Sequence, residues 1–230
     1  MISICIPTYE MKGKGVEYLE YSFNILYLQT YKDFEVIISD HSISNDIKNL
    51  CERWEETLNI KYFRNEHQRG NPSANFNNAI QNANNSIIKF LCQDDFLYDE
   101  HSLENQFKAF KSGWLVVACC HYDGEKVYKP HFPQYHDLIQ YGRNTIGSPS
   151  VLMFENKDVI EFDENLIWLT DVDYYKRLHS KFNLPTIHNE ISVVNREHPF
   201  QVSHTLAMDS IKQQEHKYII NKYETSNSPS

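Results

Sequence analysis

Two acidic pairs mark where this chain could do chemistry. The first, Asp94 and Asp95, closes the apolar run 87–92. The second, Asp171 and Asp173, lies about eighty residues further on, and a lone acid, Asp40, closes the earlier run 34–39. Ligands of open α/β sheets bind beyond the carboxyl ends of strands. Carboxylates at that place can hold a hard divalent cation and, through it, a phosphate group. Three such acids in a small domain read as an active site. Each also has a plain reading: a solvated turn acid at Asp94, a cap or turn acid at Asp40, a first-turn helix acid at Asp171.

These acids need strands to deliver them, and the hydrophobic pattern supplies them. Residues 2–6 read as a short buried strand closed by Pro7, because proline blocks ladder pairing. Leu19, Phe23 and Leu26 recur at helical spacing over residues 16–29. Residues 34–40 form a second strand, a helix from Asp46 carries Leu50 and Trp54, and residues 60–63 form a third strand. Pro72 suits the first turn of a helix to about Gln81. Residues 87–92 are the fourth strand, 102–110 a helix, and 114–120 a fifth strand. This βαβαβ series predicts an α/β fold with a mostly parallel central sheet flanked by helices. The second half is less regular. Residues 127–143, rich in Tyr, His and Pro, read as a substrate-side insertion, 171–181 as a helix, 191–194 as a strand, and 205–223 as an amphipathic helix before a polar tail.

Composition narrows the function classes. The 230 residues suit one domain of ordinary apolar content, 41% hydrophobic. A net charge of -9 lacks the basic footprint of nucleic-acid binding. The five cysteines are odd in number and contain no CxxC, which argues against a disulfide framework or zinc cluster and for a reducing compartment. No signal peptide or spanning stretch stands out. The expectation is therefore a cytoplasmic protein whose membrane contact, if any, is peripheral. No GxGxxG follows the first strand, and no GxSxG elbow is present, which disfavours a dinucleotide oxidoreductase and a serine hydrolase.

Four blocks, in order, resemble family 2 glycosyltransferases of the GT-A fold. They are Ile4-Cys5-Ile6-Pro7-Thr8-Tyr9; the 34–40 strand with Ser42 and Asp46; Arg69-Gly70 through Asn75 and Asn78 into Asp94-Asp95; and Trp168 to Asp173 with Arg177. The chain departs from the pattern at His41, where a second aspartate is usual, at Ile43, and at Cys92, which replaces the first aspartate of the aspartate-x-aspartate metal motif.

The resemblance implies a Rossmann-type nucleotide-sugar fold over residues 1–224: a nucleotide-binding half to about 95, an acceptor-side half over 96–204, and a terminal helix over 205–224, with 225–230 as tail. It implies an inverting, metal-dependent transfer from a nucleoside-diphosphate sugar to a glycan or glycolipid hydroxyl. Asp171 would be the general base. Pro7, Thr8, Tyr9, Glu10, Asp40, Arg69, Asn75, Asp94 and Asp95 would bind the donor. Asp94, with the late His198, would hold Mn²⁺ or Mg²⁺. Ser148, Trp168 and Thr170 would face the acceptor, and residues 198–204 would fold over the donor as a lid. Asp40, as the base reader, would accept an imide N–H, which favours UDP-sugars over cytosine donors. dTDP- and GDP-sugars are the alternatives. Plain readings stay open for Arg69 as a surface arginine and Trp168 as a core or rim residue. Two other functions compete: a nucleotidyltransferase, for which Gly13-Lys14-Gly15 is a faint phosphate loop, and a catalytically silent nucleotide- or carbohydrate-binding module.

Overall fold

A computed structural model describes residues 1–199, 201 and 208–224. Its spine is a strand β1 (Ile2–Thr8) between β2 (Phe34–Asp40) and β4 (Ile87–Phe90), with β3 (Ile60–Arg64) outside β2, all parallel. The helices α1 (Gly15–Leu28), α2 (Asp46–Trp54) and α3 (Pro72–Gln81) make the crossovers. Leu19, Phe23 and Leu26 of α1 are wholly buried, as their spacing requires. Asn71 caps α3, its side chain accepting from the N–H groups of Ser73 at 2.9 Å and Ala74 at 3.3 Å, with Pro72 at the first helical position.

The sheet is not mostly parallel; it is mixed. After β5 (Phe96–Leu97) and α4 (Ser102–Ala109), the chain forms β6 (Trp114–Tyr122), β7 (Val127–His131), β8 (Leu152–Glu155), α5 (Thr170–Phe182), β9 (Thr186–Arg196) and α6 (Met208–Glu224). The order is β3-β2-β1-β4-β8-β6-β9-β5, with β7 added on β6. Four pairings are antiparallel, β4–β8, β6–β8, β6–β7 and β5–β9, against four parallel. The crossover pattern of the first ninety residues describes only the first half. β8 enters head to tail between β4 and β6, and the 127–143 segment expected to be an insertion opens with a strand.

Two strand ends differ from expectation in ways that build the site. β1 continues through Pro7 to Thr8. Its pairing with β4 stops at Cys5 and Phe90, so the absent proline N–H breaks no bond to that neighbour. β4 itself stops at Phe90, two residues early, because the Cys92 N–H leaves the ladder for the Ser150 hydroxyl at 2.8 Å. Beneath this point lies an aromatic pedestal: the Phe162 and Tyr174 rings stack at 3.9 Å, with Phe76 stacked at 4.7 Å on the other face of the cluster.

Candidate active site

A cavity of about 970 Å³ opens beyond the carboxyl ends of β1 and β4, within the size range of small-molecule sites. Of the predicted donor residues, Pro7, Tyr9, Glu10, Arg69 and Asn75 line it, as do Asp94 and Asp95. Ser148, Trp168, Thr170 and Asp171 line it as well. The structure thus brings together most of the residues that sequence singled out.

The acid pair divides its work. A tight turn, closed by the Asp95 N–H to the Cys92 carbonyl at 3.0 Å, leaves Asp94 half-buried at the cavity and turns Asp95 inward, 4% exposed. One Asp95 oxygen accepts from Ser150 Oγ at 2.5 Å, Asn195 Nδ2 at 2.7 Å and Ser148 Oγ at 3.3 Å. The other accepts from the Arg196 N–H at 3.2 Å. Burial, with the Asp94 charge beside it, pushes the Asp95 carboxyl up to about 7. Asp95 therefore ties the β4 turn to β9 and to the 148–150 segment. Ser148 belongs to the same network, since Asn195 Nδ2 donates to its oxygen at 2.7 Å.

Asp94 Oδ2 meets His198 Nε2 at 2.8 Å. The guanidinium of Arg196 lies over the Tyr18 ring at 4.6 Å, with Tyr21, Phe96 and Tyr122 between 5.2 and 5.3 Å, and its Nε donates to the Asp94 carbonyl at 3.1 Å. Among the described residues no group of three or more His, Cys, Asp or Glu side chains is placed to hold a metal. Desolvation, with the Asp95 and Asp94 charges beside it, keeps the Cys92 thiol well above its usual range. The carboxylate and imidazole in contact still form a donor pair suited to Mn²⁺ or Mg²⁺, which fill their shells with water and phosphate oxygens. The lid expected over residues 198–204 falls in large part on residues 200 and 202–204, outside the described residues. So do residues 205–207 of the expected terminal helix and the tail 225–230.

Two of the predicted donor residues, Asp40 and Thr8, do not line the cavity. Asp40 is fully buried and stands behind the cavity wall. Its Oδ1 accepts from the Ser42 N–H at 2.9 Å and Thr8 Oγ1 at 3.2 Å, its Oδ2 accepts from the Tyr62 hydroxyl at 2.6 Å, and Arg64 lies at 3.7 Å. These bonds tie Asp40 to the turn that follows β2. Thr8, also fully buried, is part of the same knot. The next residue, His41, faces the cavity instead. The tautomer with the proton on Nε2 fits both its contacts, donating to the His67 carbonyl at 3.2 Å and accepting the Gly70 N–H on Nδ1 at 3.3 Å. His41 thereby holds the loop that carries Arg69 at the cavity mouth, where Arg69 makes a loose 3.7 Å pair with Glu66. Asn75 is likewise engaged, accepting from Ser39 Oγ at 2.6 Å and donating to the Thr8 carbonyl at 3.1 Å.

Asp171 sits in the first turn of α5, and desolvation pushes its carboxyl up to about 7. Its Oδ1 accepts from the Val172 N–H at 2.7 Å and its Oδ2 from Asn144 Nδ2 at 2.8 Å. Asp173 points elsewhere, fully buried and paired with Arg177 Nε at 2.8 Å. Thr170 Oγ1 lies 2.5 Å from Ser73 Oγ, which donates to the Leu166 carbonyl at 2.8 Å, so Thr170 is the donor between the hydroxyls. Trp168 takes the rim, its ring 5.0 Å from Lys212 Nζ.

Sequence reasoning missed Gln93, Asn144, Asn195 and the role of Arg196. Gln93 Oε1 accepts the Tyr9 N–H at 2.9 Å and its Nε2 donates to the Gly15 carbonyl at 2.9 Å, closing the floor. Gly15 is required there, since a Cβ would lie 2.3 Å from the Tyr9 carbonyl. Asn144 had one local signal, an Asn three residues before a glycine; its Oδ1 accepts the N–H groups of Ile146 and Gly147. Lys14, from the faint phosphate loop, pairs with Glu17 at 2.6 Å on the surface, away from the cavity.

The family model "Glycosyl transferase family 2" matches residues 3–178. An uncharacterized glycosyltransferase of Rickettsia felis is 27% identical over 206 residues, 84% of this chain and 32% of that protein. A GalNAc(5)-diNAcBac-PP-undecaprenol beta-1,3-glucosyltransferase of Campylobacter jejuni is 31% identical over 97 residues, 42% of this chain and 30% of that protein. The chain thus spans about a third of the length of these curated relatives. S. aureus TarS 1-349 in complex with UDP superposes with a TM-score of 0.69 at 19% identity, over 98% of this chain and 73% of that one. The mannosyltransferase PcManGT from Pyrobaculum calidifontis, in complex with GDP-Man and Mn2+, superposes at 0.67 and 15% identity, over 100% of this chain and 65% of that one. No helix among the described residues is long and apolar enough to cross a membrane.

Proposed function

The chain belongs to glycosyl transferase family 2, and from that premise we propose that it moves a sugar from a nucleoside-diphosphate sugar to a hydroxyl of a glycan or glycolipid, with metal and with inversion. One observation carries the reading: Asp94, beyond the end of β4, and Asp171, in the first turn of α5, line one cavity. Residues 1–224 act as one catalytic domain, the first ninety-five or so holding the nucleotide and the rest shaping the acceptor side.

Asp94 and His198 would hold Mn²⁺ or Mg²⁺. When bound, the ion neutralises charge on the leaving diphosphate. The protein's own groups do the rest. Arg69, at the mouth, donates to phosphate oxygens in the manner of a guanidinium fork. Tyr9 and Glu10 flank the nucleotide beside the loop held by His41. Asp171, oriented by Asn144, takes the proton of the acceptor hydroxyl as that oxygen bonds to the anomeric carbon and the carbon–oxygen bond to diphosphate breaks. Attack from the face opposite the leaving group inverts the centre, and one base suffices. Trp168 offers a flat face to a sugar ring at the acceptor side. The nucleotide is UDP or GDP, the two carried by the structural relatives in complex. A lipid-borne acceptor would bring the protein to the cytoplasmic membrane surface.

The base role sets a pH dependence. A group that must be ionised to accept a proton, and whose carboxyl sits at about 7, gives a turnover number that rises with pH through about 7 and levels above it. Release of UDP from UDP-GlcNAc, or of GDP from GDP-mannose, measured from pH 5.5 to 8.5 tests this. An acid limb in the ordinary carboxylate range, near pH 4, would contradict the assignment.

A further inference from the structure

α6 lies outside residues 3–178 matched by the family model, yet it grips the segment that carries the base. Glu215, 5% exposed on α6, accepts three successive backbone N–H groups immediately before α5. The distances are 2.7 Å from Ile167, 3.0 Å from Trp168 and 2.7 Å from Leu169. Successive N–H groups converging on one carboxylate form an anion nest, and such groups at a helix start favour negative charge. Left without it, three converging donors would be unpaired in a largely buried place.

Further contacts pin the same helix. The Tyr223 hydroxyl donates to Asp173 Oδ1 at 2.7 Å, and Lys222 Nζ lies 2.8 Å from that oxygen and 2.6 Å from Asp163 Oδ2. The His216 ring meets Trp168 edge to face at 5.5 Å. α6 thus holds the 163–173 segment at both ends, and Trp168, Thr170 and Asp171 reach the cavity from within that span.

We propose that α6 is a positioning element of the active site, in which Glu215 fixes the backbone turn that presents Trp168 and the base Asp171 to the acceptor. This rests on Asp171 being the base. Glu215 touches neither donor nor acceptor and is not itself catalytic. Its charge also reaches Asp171: repulsion between the carboxylates adds to the desolvation that raises the Asp171 pKa. Among the described residues, Cys92 and Tyr175 also interact with Asp171.

The test uses the full chain as wild type, Glu215→Gln, Glu215→Asp and Asp171→Asn, with UDP-GlcNAc or GDP-mannose, whichever the wild type turns over. Glu215→Gln puts an amide N–H₂ against backbone donors. It should raise hydrogen exchange at residues 167–169 at least tenfold and lower kcat at least tenfold. Donor affinity should stay within about twofold, and the acid limb of kcat should move to lower pH because a repelling charge is gone. Glu215→Asp, which keeps the charge with a shorter reach, should fall between, and it serves alone if the glutamine variant does not fold. Unchanged kcat and acid limb in the Glu215 variants beside an inactive Asp171→Asn would overturn the proposal while sparing the base. A fully active Asp171→Asn would overturn both.

Discussion

Asp171→Asn is expected to lower kcat by roughly 10²–10⁴-fold, the usual contribution of a positioned general base, with donor affinity unchanged. The amide has the shape of the carboxylate and can still accept from the Val172 N–H, so α5 keeps its first turn. What it loses is the capacity to take a proton, together with the bond from Asn144 Nδ2, which an amide N–H₂ cannot accept. The competing account of Asp171 is an acid that stabilises a helix N-terminus, which is worth only about 0.3–1 kcal/mol in stability and nothing in rate. Steady-state kinetics with a parallel calorimetric titration of nucleotide separate the two. A variant of slightly lower stability and full turnover would leave Asp171 as a helix acid.

The second large effect concerns stability. Asp95→Ala is expected to destabilise the protein by about 3 kcal/mol or more, because it strands buried donors on three segments. Ser150 Oγ, Asn195 Nδ2 and the Arg196 N–H all lose their acceptor at once. The urea midpoint measures this, and its pH dependence gives a second readout. The Asp95 carboxyl is raised from 3.8 to about 7 in the folded state, so between those values the native protein holds a proton that the unfolded chain has released. Its contribution to stability is then greatest below about pH 4 and falls as pH rises towards 7. Asp171 acts in the same direction. Asp95→Ala should therefore flatten the pH profile as well as lower it. A midpoint within error of wild type would refute the hub.

Some of this was legible in the sequence because the cause was local. Strand Phe34–Asp40 was read to the residue and helix Pro72–Gln81 to within its last turn, since a polar turn closes the first and a proline opens the second. The acids Asp94, Asp95 and Asp171 were found because each follows an apolar run or opens a periodic one. The rest depended on distant contacts. β7 is mostly exposed and carries a proline, so it has no alternating signature, and β9 begins in exposed and half-exposed residues before the 191–194 run and continues past it through the polar Asn195 and Arg196. The parallel crossovers of the first half gave no hint that β8 enters in reverse.

Asp40 shows a related limit of the sequence. A strand-end acid looks the same whether it faces the ligand or braces the turn behind it. Only the approach of Tyr62 and Thr8 shows that it braces the turn, leaving His41 at the cavity. Asn144, Asn195 and Glu215 are single polar residues whose partners lie 27, 100 and 46 to 48 positions away. No spacing rule reaches them. Cys92 could be read as a departure from the family's metal motif, but its half-buried place on the cavity and the contact of His198, from beyond β9, with Asp94 come from the fold.

The most direct test of the donor site is calorimetric titration of UDP and of GDP into the wild-type protein and Asp94→Ala, each with Mn²⁺ and with a chelator. Saturable binding of one nucleotide that requires Mn²⁺ and disappears in a folded Asp94→Ala variant is the predicted result. Binding that persists unchanged with chelator and in Asp94→Ala, or no binding of either nucleotide by folded wild-type protein, would contradict it.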